Sequence, residues 1–149
     1  MVLTGLNGVE WDAVELPSQF MENWCYHPAT LKGMSSHIIS KQPLPDDLIN
    51  KMIASRTFLS GLAVVRQLQF GMVDMQLHSM PFEKDAPAAS VAALVFETAR
   101  SIAQQASVLP PLPEDRMLCS FSHIFAGGYS AGYYSYMYSQ GMMLLCGSV

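Results

Sequence analysis

The sequence is poor in charged side chains. Asp, Glu, Lys and Arg together make up 13% of its 149 residues, about half of the share in an average globular protein. The final stretch, residues 117–149, contains none of them. Hydrophobic residues make up 50% of the chain, which excludes a disordered protein. So few charges leave a small protein short of polar surface, and the composition is typical of a segment from the interior of a larger one.

Basic residues are especially few. Eight Lys and Arg stand against twelve Asp and Glu, for a net charge of −4. Without a basic stripe, the sequence predicts neither a nucleic-acid partner nor an anionic membrane partner. The uncharged stretch 117–149 exceeds the roughly 20 apolar residues that a membrane-spanning helix needs, but Gly, Ser and Gln interrupt it repeatedly. We therefore predict that this stretch lies in the protein interior rather than in lipid.

Cysteine is also scarce. Cys25, Cys119 and Cys146 are far apart and form no CxxC motif. This spacing predicts reduced thiols and an intracellular protein. Residues 1–10 lack the basic segment and the apolar core of a signal peptide, so no secretion signal is predicted at this position.

The hydrophobic pattern is that of helices joined by short loops. Apolar residues recur every three or four positions, which is the period of an amphipathic helix. Pro28 suits the first turn of a helix and disfavours continuation of the one before it. The pattern predicts a mainly α fold in one domain, residues 1–149, with helices at Val9–Tyr26, Pro28–Ile39, Asp46–His78, Ala88–Ala106 and from Ser130 onward.

The helix predicted over residues 46–78 carries the longest apolar stripe. At roughly 30 residues it would be about 45 Å long. We expect this stripe to form the core, together with one face of the helix over residues 88–106. The members of the stripe are Leu48, Ile49, Met52, Ile53, Leu59, Leu62, Val65, Leu68, Met72 and Met75.

Two groups of residues have the chemistry of a functional site. The first is Asp12, Glu15 and Gln19, in the sequence GVEWDAVELPSQ. At spacings of three and four residues, these side chains share one face of a helix. Carboxylates that point inward from an apolar helix need a cation, a proton or a hydrogen-bond donor to offset their desolvation. The alternative is that this face is simply solvated.

The second group is three tyrosines behind a Gly127-Gly128 pair, in the sequence FSHIFAGGYSAGYYSY. Tyr129, Tyr133 and Tyr136 are spaced i, i+4, i+7 and would line one stripe of a helix. Phenol hydroxyls presented in this way can act as preorganised donors to an oxyanion. The alternative is that these tyrosines pack against a neighbouring layer of the protein.

At these two segments the chain resembles the thimet oligopeptidase/oligopeptidase A family of zinc peptidases, including its plant and algal organellar members. The resemblance rests on GVEWDAVELPSQFMENWC and CSFSHIFAGGYSAGYYSY and covers residues 4–136. It implies the helical part of the catalytic lobe of a longer enzyme, incomplete at both ends, with short peptides as substrates. It also implies a cytoplasmic protein, or a chloroplast or mitochondrial one if a transit peptide lies upstream.

The resemblance implies a role for each candidate residue. Glu15 matches the glutamate that binds zinc in the family, and Asp12, one turn earlier, matches a carboxylate that can orient a zinc ligand. Tyr129 and Tyr136 match tyrosines that face the scissile peptide, with Tyr136 as the oxyanion donor. The positions that match substrate contacts are His123, Gly127 and Gly128.

The HExxH zinc motif of the family is absent from the sequence. The four histidines are His27, His37, His78 and His123, and no two are four residues apart. In the family this motif supplies two zinc ligands and the glutamate that takes a proton from the attacking water. The resemblance places it just upstream of the first residue of this chain.

Residues 137–149 also depart from the family pattern. They read MYSQGMMLLCGSV, where the family continues with a tryptophan-bearing helix that ends in acidic residues. We therefore expect a partial catalytic domain with a divergent tail, with weak or no zinc binding and no peptidase activity of its own. The alternative is a non-catalytic product of a truncated peptidase gene that binds or interacts without hydrolysis.

Overall fold

The computed structural model describes residues 8–146, and its regular structure is helical. The α-helices are α1 (Leu16–Glu22), α2 (Pro28–Met34), α3 (Asp46–Ser55), α4 (Ser60–Ser79), α5 (Ala88–Ala106), α6 (Met117–Ser120) and α7 (Ser135–Cys146). Short 3-10 helices occupy Trp11–Ala13, Asn23–Tyr26 and Ser122–Ile124. This described part contains no strand, and the prediction of a mainly α fold is confirmed.

The prediction of one helix over Val9–Tyr26 is wrong. The structure has a 3-10 helix at Trp11–Ala13, then α1, and then a second 3-10 helix that ends at Tyr26. Pro17 lies in the first turn of α1. Proline is tolerated there because the N–H groups of a first turn have no partner within the helix, whereas further inside it removes a hydrogen bond. The chain therefore begins a new helix at this point.

Pro28 begins α2 as predicted, but the helix ends at Met34 and does not reach Ile39. The next residue, Ser35, is extended, with φ −100° and ψ 143°. Its hydroxyl accepts the backbone N–H of Leu44 at 2.9 Å. Side chains that bind nearby backbone in this way compete with helix formation, and this bond draws the following loop back to the end of α2.

The helix predicted over residues 46–78 is two helices. α3 and α4 meet at a bend of 48°, and Leu59 in the break is left-handed, with φ 52°. The hydroxyls of Ser55 and Thr57 donate to backbone carbonyls three residues earlier, at 2.7 and 3.3 Å, and such bonds bend or end helices. Within the described residues, no single helix is long and apolar enough to cross a membrane, although α3 and α4 taken together pass by length and composition alone.

The core forms where α4 packs against α5. Val73 and Leu77, one turn apart on α4, cluster with Ile102 of α5. The chain that follows α5 closes this core with the buried side chains of Leu118, Phe121, Ile124 and Tyr133. Because Tyr133 belongs to the second candidate group, the core directly supports the tyrosine segment.

The apolar stripe predicted for residues 48–75 faces mostly outward. A single member, Ile49, is buried, and most of the others are exposed. The buried residues of α4 are instead Gln69, Val73, Asp74 and Leu77. Apolar residues occur on more than one face of α4, so periodicity alone did not select the face that packs against α5.

Candidate active site

Two distant parts of the chain form the site: the segment that contains α1 and the segment that leads into α7. Three of the hydrogen bonds that join them connect residues separated by 117 to 127 positions. Each runs from a side chain on one part to a backbone carbonyl on the other: Trp11 Nε1 to Gly132 O at 3.2 Å, Gln19 Nε2 to Tyr136 O at 3.0 Å, and Ser139 Oγ to Asp12 O at 3.1 Å. The two predicted groups therefore lie side by side.

Glu15 is half-buried at the junction just before α1, and both oxygens of its carboxylate accept hydrogen bonds. Ser18 donates from Oγ to Oε2 at 2.6 Å. Tyr129 donates its hydroxyl to Oε1. These two bonds direct the carboxylate toward the tyrosine segment.

The three tyrosines form one aromatic cluster, with His123 beside them. The rings of Tyr129 and Tyr136 stack with centroids 5.0 Å apart and planes inclined by 25°. The ring of Tyr133 is 5.0 Å from that of Tyr136. The imidazole of His123 lies 6.1, 5.9 and 6.3 Å from the rings of Tyr129, Tyr133 and Tyr136. The structure therefore brings His123 and all three tyrosines together.

The cluster does not arise from a single helical stripe. α7 begins at Ser135, so the prediction of a helix from Ser130 is wrong for its first turn. Ala131 has φ 52° and Gly128 has φ 85°, and a right-handed helix excludes such values. Two of the three tyrosines therefore lie on the turn before α7, and only Tyr136 lies on the helix.

Burial and hydrogen bonds set the charges in the cluster. Burial raises the pKa of the Glu15 carboxyl, but hydrogen bonds from Ser18, Tyr129 and Tyr136 outweigh it, and the net effect lowers this pKa. For Tyr129, burial and the hydrogen bond to Glu15 raise the pKa of the phenol far above its ordinary value of 10.0. Burial also raises the pKa of Tyr136 and of Tyr133. At neutral pH the site therefore combines one carboxylate with protonated phenols.

The Gly127-Gly128 pair fixes the backbone between His123 and Tyr129. A Cβ at Gly127 would lie 2.8 Å from the Cα of His123, so a larger residue requires the backbone to move. Gly128 has φ 85°, which glycine adopts without strain. The N–H of Tyr129 donates to the carbonyl of His123 at 2.9 Å. The glycines thus define the separation of His123 and Tyr129, and substrate contact at these positions stays a prediction.

A cleft of about 530 Å³ opens beside the cluster. This volume lies within the range of small-ligand sites, roughly 300–1,000 Å³. The lining mixes aromatic, polar and charged groups and includes His123, Tyr133, Tyr136, Gln19, Glu22, Tyr26 and Arg56. The cleft therefore adjoins both predicted groups.

The described residues do not assemble a metal centre by themselves. Within residues 8–146, no three His, Cys, Asp or Glu side chains converge in a way that suits a metal ion. Asp12 is half-buried, and the bond that joins it to Ser139 uses its backbone carbonyl. Zinc ligation by Glu15 and ligand orientation by Asp12 both stay predictions.

The sequence prediction did not include three residues that build the site. Asp74 is fully buried and accepts two backbone N–H groups of the tyrosine segment, each at 2.9 Å. Gln67 accepts the hydroxyl of Tyr133 at 3.0 Å, and Trp11 packs on Tyr129 with ring centroids 4.9 Å apart. A signal for Asp74 was present, since it is the only carboxylate in α4 and His78 follows it by one helical turn.

The described residues thus form a helical unit in which a carboxylate and a phenol cluster lie together beside a cleft. The sequence profile described as Peptidase family M3 matches residues 2–148, and the chain belongs to this family. The predicted family is confirmed. The division into a family-like part and a divergent tail at residue 136 stays a prediction.

Individual relatives agree with this assignment. The chain is 49% identical over 139 residues to probable cytosolic oligopeptidase A of Arabidopsis thaliana, covering 93% of the chain and 19% of the relative. It is 45% identical over 137 residues to oligopeptidase A of Escherichia coli strain K12, covering 92% and 19%. It is 34% identical over 137 residues to saccharolysin of Saccharomyces cerevisiae, covering 91% and 18%. The chain therefore spans about a fifth of the length of these relatives.

Proposed function

We propose that this chain contributes part of the active site of a zinc oligopeptidase that hydrolyses internal bonds of short peptides. The observation that carries the proposal is the hydrogen bond from the Tyr129 hydroxyl to the Glu15 carboxylate, which joins residues 114 positions apart. It unites the position that matches a zinc ligand with a position that matches a substrate-facing tyrosine. Membership of Peptidase family M3 supports the same function.

Glu15 fits one ligand position of the zinc that the family resemblance implies. A zinc ligand must be deprotonated, and the lowered pKa of Glu15 keeps its carboxyl ionised at neutral pH. The remaining residues do not complete the site, because a catalytic zinc takes three protein ligands and no two histidines of the sequence are four residues apart. We infer that the chain alone binds zinc weakly or not at all and does not cleave peptides.

The tyrosines serve as hydrogen-bond donors in this proposal. The raised pKa values of Tyr129 and Tyr136 keep both phenols protonated at neutral pH. Tyr136 donates to the oxyanion that forms on the scissile carbonyl, and its ring is held by stacking on Tyr129. His123 and the Gly127-Gly128 loop contact the backbone of the peptide. Removal of one preorganised oxyanion donor typically lowers kcat by about 10²–10³.

The cleft and the relatives support the proposed substrate and compartment. A space of about 530 Å³ suits a few residues of an extended peptide rather than a folded protein. Two Arabidopsis relatives carry the names probable cytosolic oligopeptidase A and organellar oligopeptidase A, chloroplastic/mitochondrial. We propose a cytosolic protein, or a chloroplast or mitochondrial one.

The test joins this chain to a relative. The chain replaces the 137-residue stretch of Escherichia coli oligopeptidase A to which it is 45% identical, and the chimera and the chain alone are assayed on a fluorogenic short peptide. We expect the chimera to cleave the peptide, a chelator to stop cleavage and zinc to restore it. The chain alone should cleave nothing with or without zinc. Zinc-dependent cleavage by the chain alone would contradict its proposed inactivity.

Point variants of the chimera test the individual roles. Glu15→Gln should lose both bound zinc, measured by metal analysis, and activity. Glu10→Gln, an exposed glutamate in the same segment, should keep both. Tyr136→Phe should lower kcat by about 10²–10³ and change KM little. Full zinc content and activity in Glu15→Gln would overturn the assignment.

A non-catalytic interaction module is the second candidate, and the outward-facing apolar residues favour it. Met52, Leu62 and Met72 on α3 and α4 are 39%, 45% and 41% exposed. Large exposed apolar patches mark interaction sites. Under this alternative the chain binds a labelled peptide without cleaving it, and Glu15→Gln leaves that binding unchanged. The dependence on Glu15 therefore separates the two candidates.

A further inference from the structure

A buried carboxylate on α4 lies against the turn that precedes α7. Asp74 is fully buried, with 0% of its surface exposed. Its Oδ1 accepts the backbone N–H of Ala131 and its Oδ2 accepts the backbone N–H of Tyr133, both at 2.9 Å. His78, one turn further along α4, places Nδ1 2.9 Å from the backbone carbonyl oxygen of Asp74 and 2.8 Å from Oδ1. Both oxygens of the carboxylate thus accept a backbone N–H of the turn.

These bonds define the conformation of the turn that precedes α7. The two N–H groups belong to residues on either side of Gly132, and both reach one carboxylate only if the backbone folds around it. Ala131 is left-handed, with φ 52°, a conformation that is strained for a non-glycine residue. Leaving a buried N–H without a partner is also unfavourable. The carboxylate of Asp74 therefore offsets the strain and the burial of this turn.

The same turn carries the tyrosines of the site. The N–H of Gly132 donates to the carbonyl of Tyr129 at 2.9 Å, which closes the turn directly after Tyr129. Tyr133 follows immediately, and α7 with Tyr136 begins two residues later. Movement of the turn would therefore displace the hydroxyl that reaches Glu15. The position of Asp74 in the core sets the position of the phenols at the cleft.

We propose that Asp74 is a positioning residue of the candidate active site: it binds the backbone N–H groups of Ala131 and Tyr133 and so holds the Tyr129 hydroxyl against the Glu15 carboxylate. The inference rests on the proposed function only for the catalytic consequence, since the positioning itself is a property of this chain. His78 lies beside this carboxylate, with Nδ1 2.8 Å from Oδ1.

The test uses a reporter that the structure supplies. Trp11 donates to Gly132 and packs on Tyr129, so its fluorescence reports on the turn, and Trp24→Phe removes the other tryptophan. In that background Asp74→Asn replaces one acceptor with a donor of the same size. We expect helix content by circular dichroism to be retained, Trp11 emission to shift to the red, and Trp11 to become more accessible to acrylamide.

NMR of the backbone amides locates the effect. In the parent chain, the amide protons of Ala131 and Tyr133 should resonate downfield, because both donate to a carboxylate. Asp74→Asn should remove the downfield shift of at least one. Unchanged amide shifts together with unchanged Trp11 emission would overturn the proposal, whatever the effect on activity. The Trp11 emission and the amide shifts require neither zinc nor cleavage. They therefore test the positioning role even if the proposed peptidase function is wrong.

Val73→Ala is the matched control. Val73 is the neighbouring residue, is also 0% exposed and packs in the core cluster that includes Tyr133, but its side chain accepts no hydrogen bond from the turn. It should lower the melting temperature and leave both Trp11 emission and the two amide shifts unchanged below the melt. The same spectral changes in Val73→Ala would mean that any core damage moves the turn, which would also overturn the proposal. Should Asp74→Asn fail to fold, His78→Asn keeps the carboxylate and should give a smaller change of the same kind.

In the chimera with Escherichia coli oligopeptidase A, the positioning role predicts different effects on kcat and KM. Asp74→Asn should lower kcat with little change in KM, because the misplaced phenols act on the reacting bond more than on peptide binding. Val73→Ala should change neither constant at temperatures below its melt. An equal loss of kcat in Asp74→Asn and Val73→Ala would contradict the positioning role and would mean that Asp74 only stabilises the fold.

Discussion

The part of the structure around α1 and α7 differs from the part formed by α3 and α4 in how its side chains are engaged. Around α1 and α7, hydrogen bonds from Trp11, Gln19 and Ser139 join residues 117 to 127 positions apart. Along α3, the break that follows it and the outward face of α4, most large apolar side chains are exposed, including Phe58 at 75% and Leu59 at 57% in the break. The site half is therefore closely specified by polar contacts, whereas the α3–α4 half presents an apolar surface.

This difference shows where each half is sensitive to substitution. In the site half, a side chain meets a backbone group at a fixed distance, so small changes in volume should be costly. In the α3–α4 half, solvent surrounds the side chains, so the same changes should cost little. The predictions below compare matched substitutions across this division.

The largest effect at the site is expected at Gly132. A Cβ added there would lie 2.0 Å from Nε1 of Trp11, which forces the indole away from its acceptor. Overpacking of this kind typically costs about 1–3 kcal/mol, and we expect Gly132→Ala to reach the upper part of that range in urea unfolding. In the Trp11→Ala background, the same substitution should cost much less, because the obstructing ring is absent.

Gly71→Ala is the comparison in the other half. Gly71 lies within α4, and an added Cβ would meet no heavy atom within 4 Å. Because alanine favours a helix interior over glycine by roughly 0.5–1 kcal/mol, this substitution should stabilise the chain. Equal destabilisation by the two substitutions would remove the distinction between the halves.

Sequence patterns singled out Glu15, Tyr129 and Tyr136, which the structure brings together. The chemical roles of these residues stay predictions. The local sequence pattern did not predict the left-handed turn at Ala131 or the carboxylate of Asp74 that supports it. Those depend on a contact between residues 57 positions apart, which no local period encodes.

The helical class and the approximate positions of the helices were predictable, but their number, their ends and their buried faces were not. The helix breaks at Leu59 because this residue is left-handed. The apolar periodicity of the sequence continues across the break, so it gave no sign of it. The buried face of α4 includes Asp74 and Gln69, two polar residues that any apolar pattern assigns to the surface. The burial of Asp74 is favourable only because its carboxylate finds donors in the turn before α7.

A smaller effect is expected when the bond between Tyr129 and Glu15 is removed. A hydrogen bond to a charged group contributes about 1.5–3 kcal/mol, and the partial exposure of both residues reduces this, so Tyr129→Phe should cost about 1 kcal/mol. Tyr138→Phe is the control, since Tyr138 is 51% exposed, and it should fall within about 0.5 kcal/mol of the parent. Chemical unfolding at pH 7 measures both, and equal costs would contradict a specific contribution from the bond.

The same bond predicts a dependence of stability on pH. The pKa of Glu15 in the folded chain is below its ordinary value of 4.5, so the unfolded chain binds a proton first as the pH falls. The contribution of Glu15 to stability is therefore present above pH 4.5 and lost below it, as the pH falls through the folded pKa. Glu15→Gln should flatten the unfolding free energy between pH 5 and 3 relative to the parent, and Glu10→Gln should not.

The smallest change in stability is expected on the apolar surface. Leu62 is 45% exposed and Leu77 is 6% exposed, although both are leucines of α4. Leu62→Gln should change the unfolding free energy by no more than about 0.5 kcal/mol, as exposed substitutions usually do. It should nevertheless reduce the fluorescence of a bound hydrophobic dye and slow aggregation, because exposed apolar patches drive both.

Leu77→Gln should instead destabilise the chain strongly, since a buried polar group without a partner costs free energy in addition to the lost apolar contact. If Leu62→Gln destabilised the chain as much as Leu77→Gln, the α3–α4 face would be covered in solution, and its partner would be a second copy of the chain, which sedimentation velocity would detect.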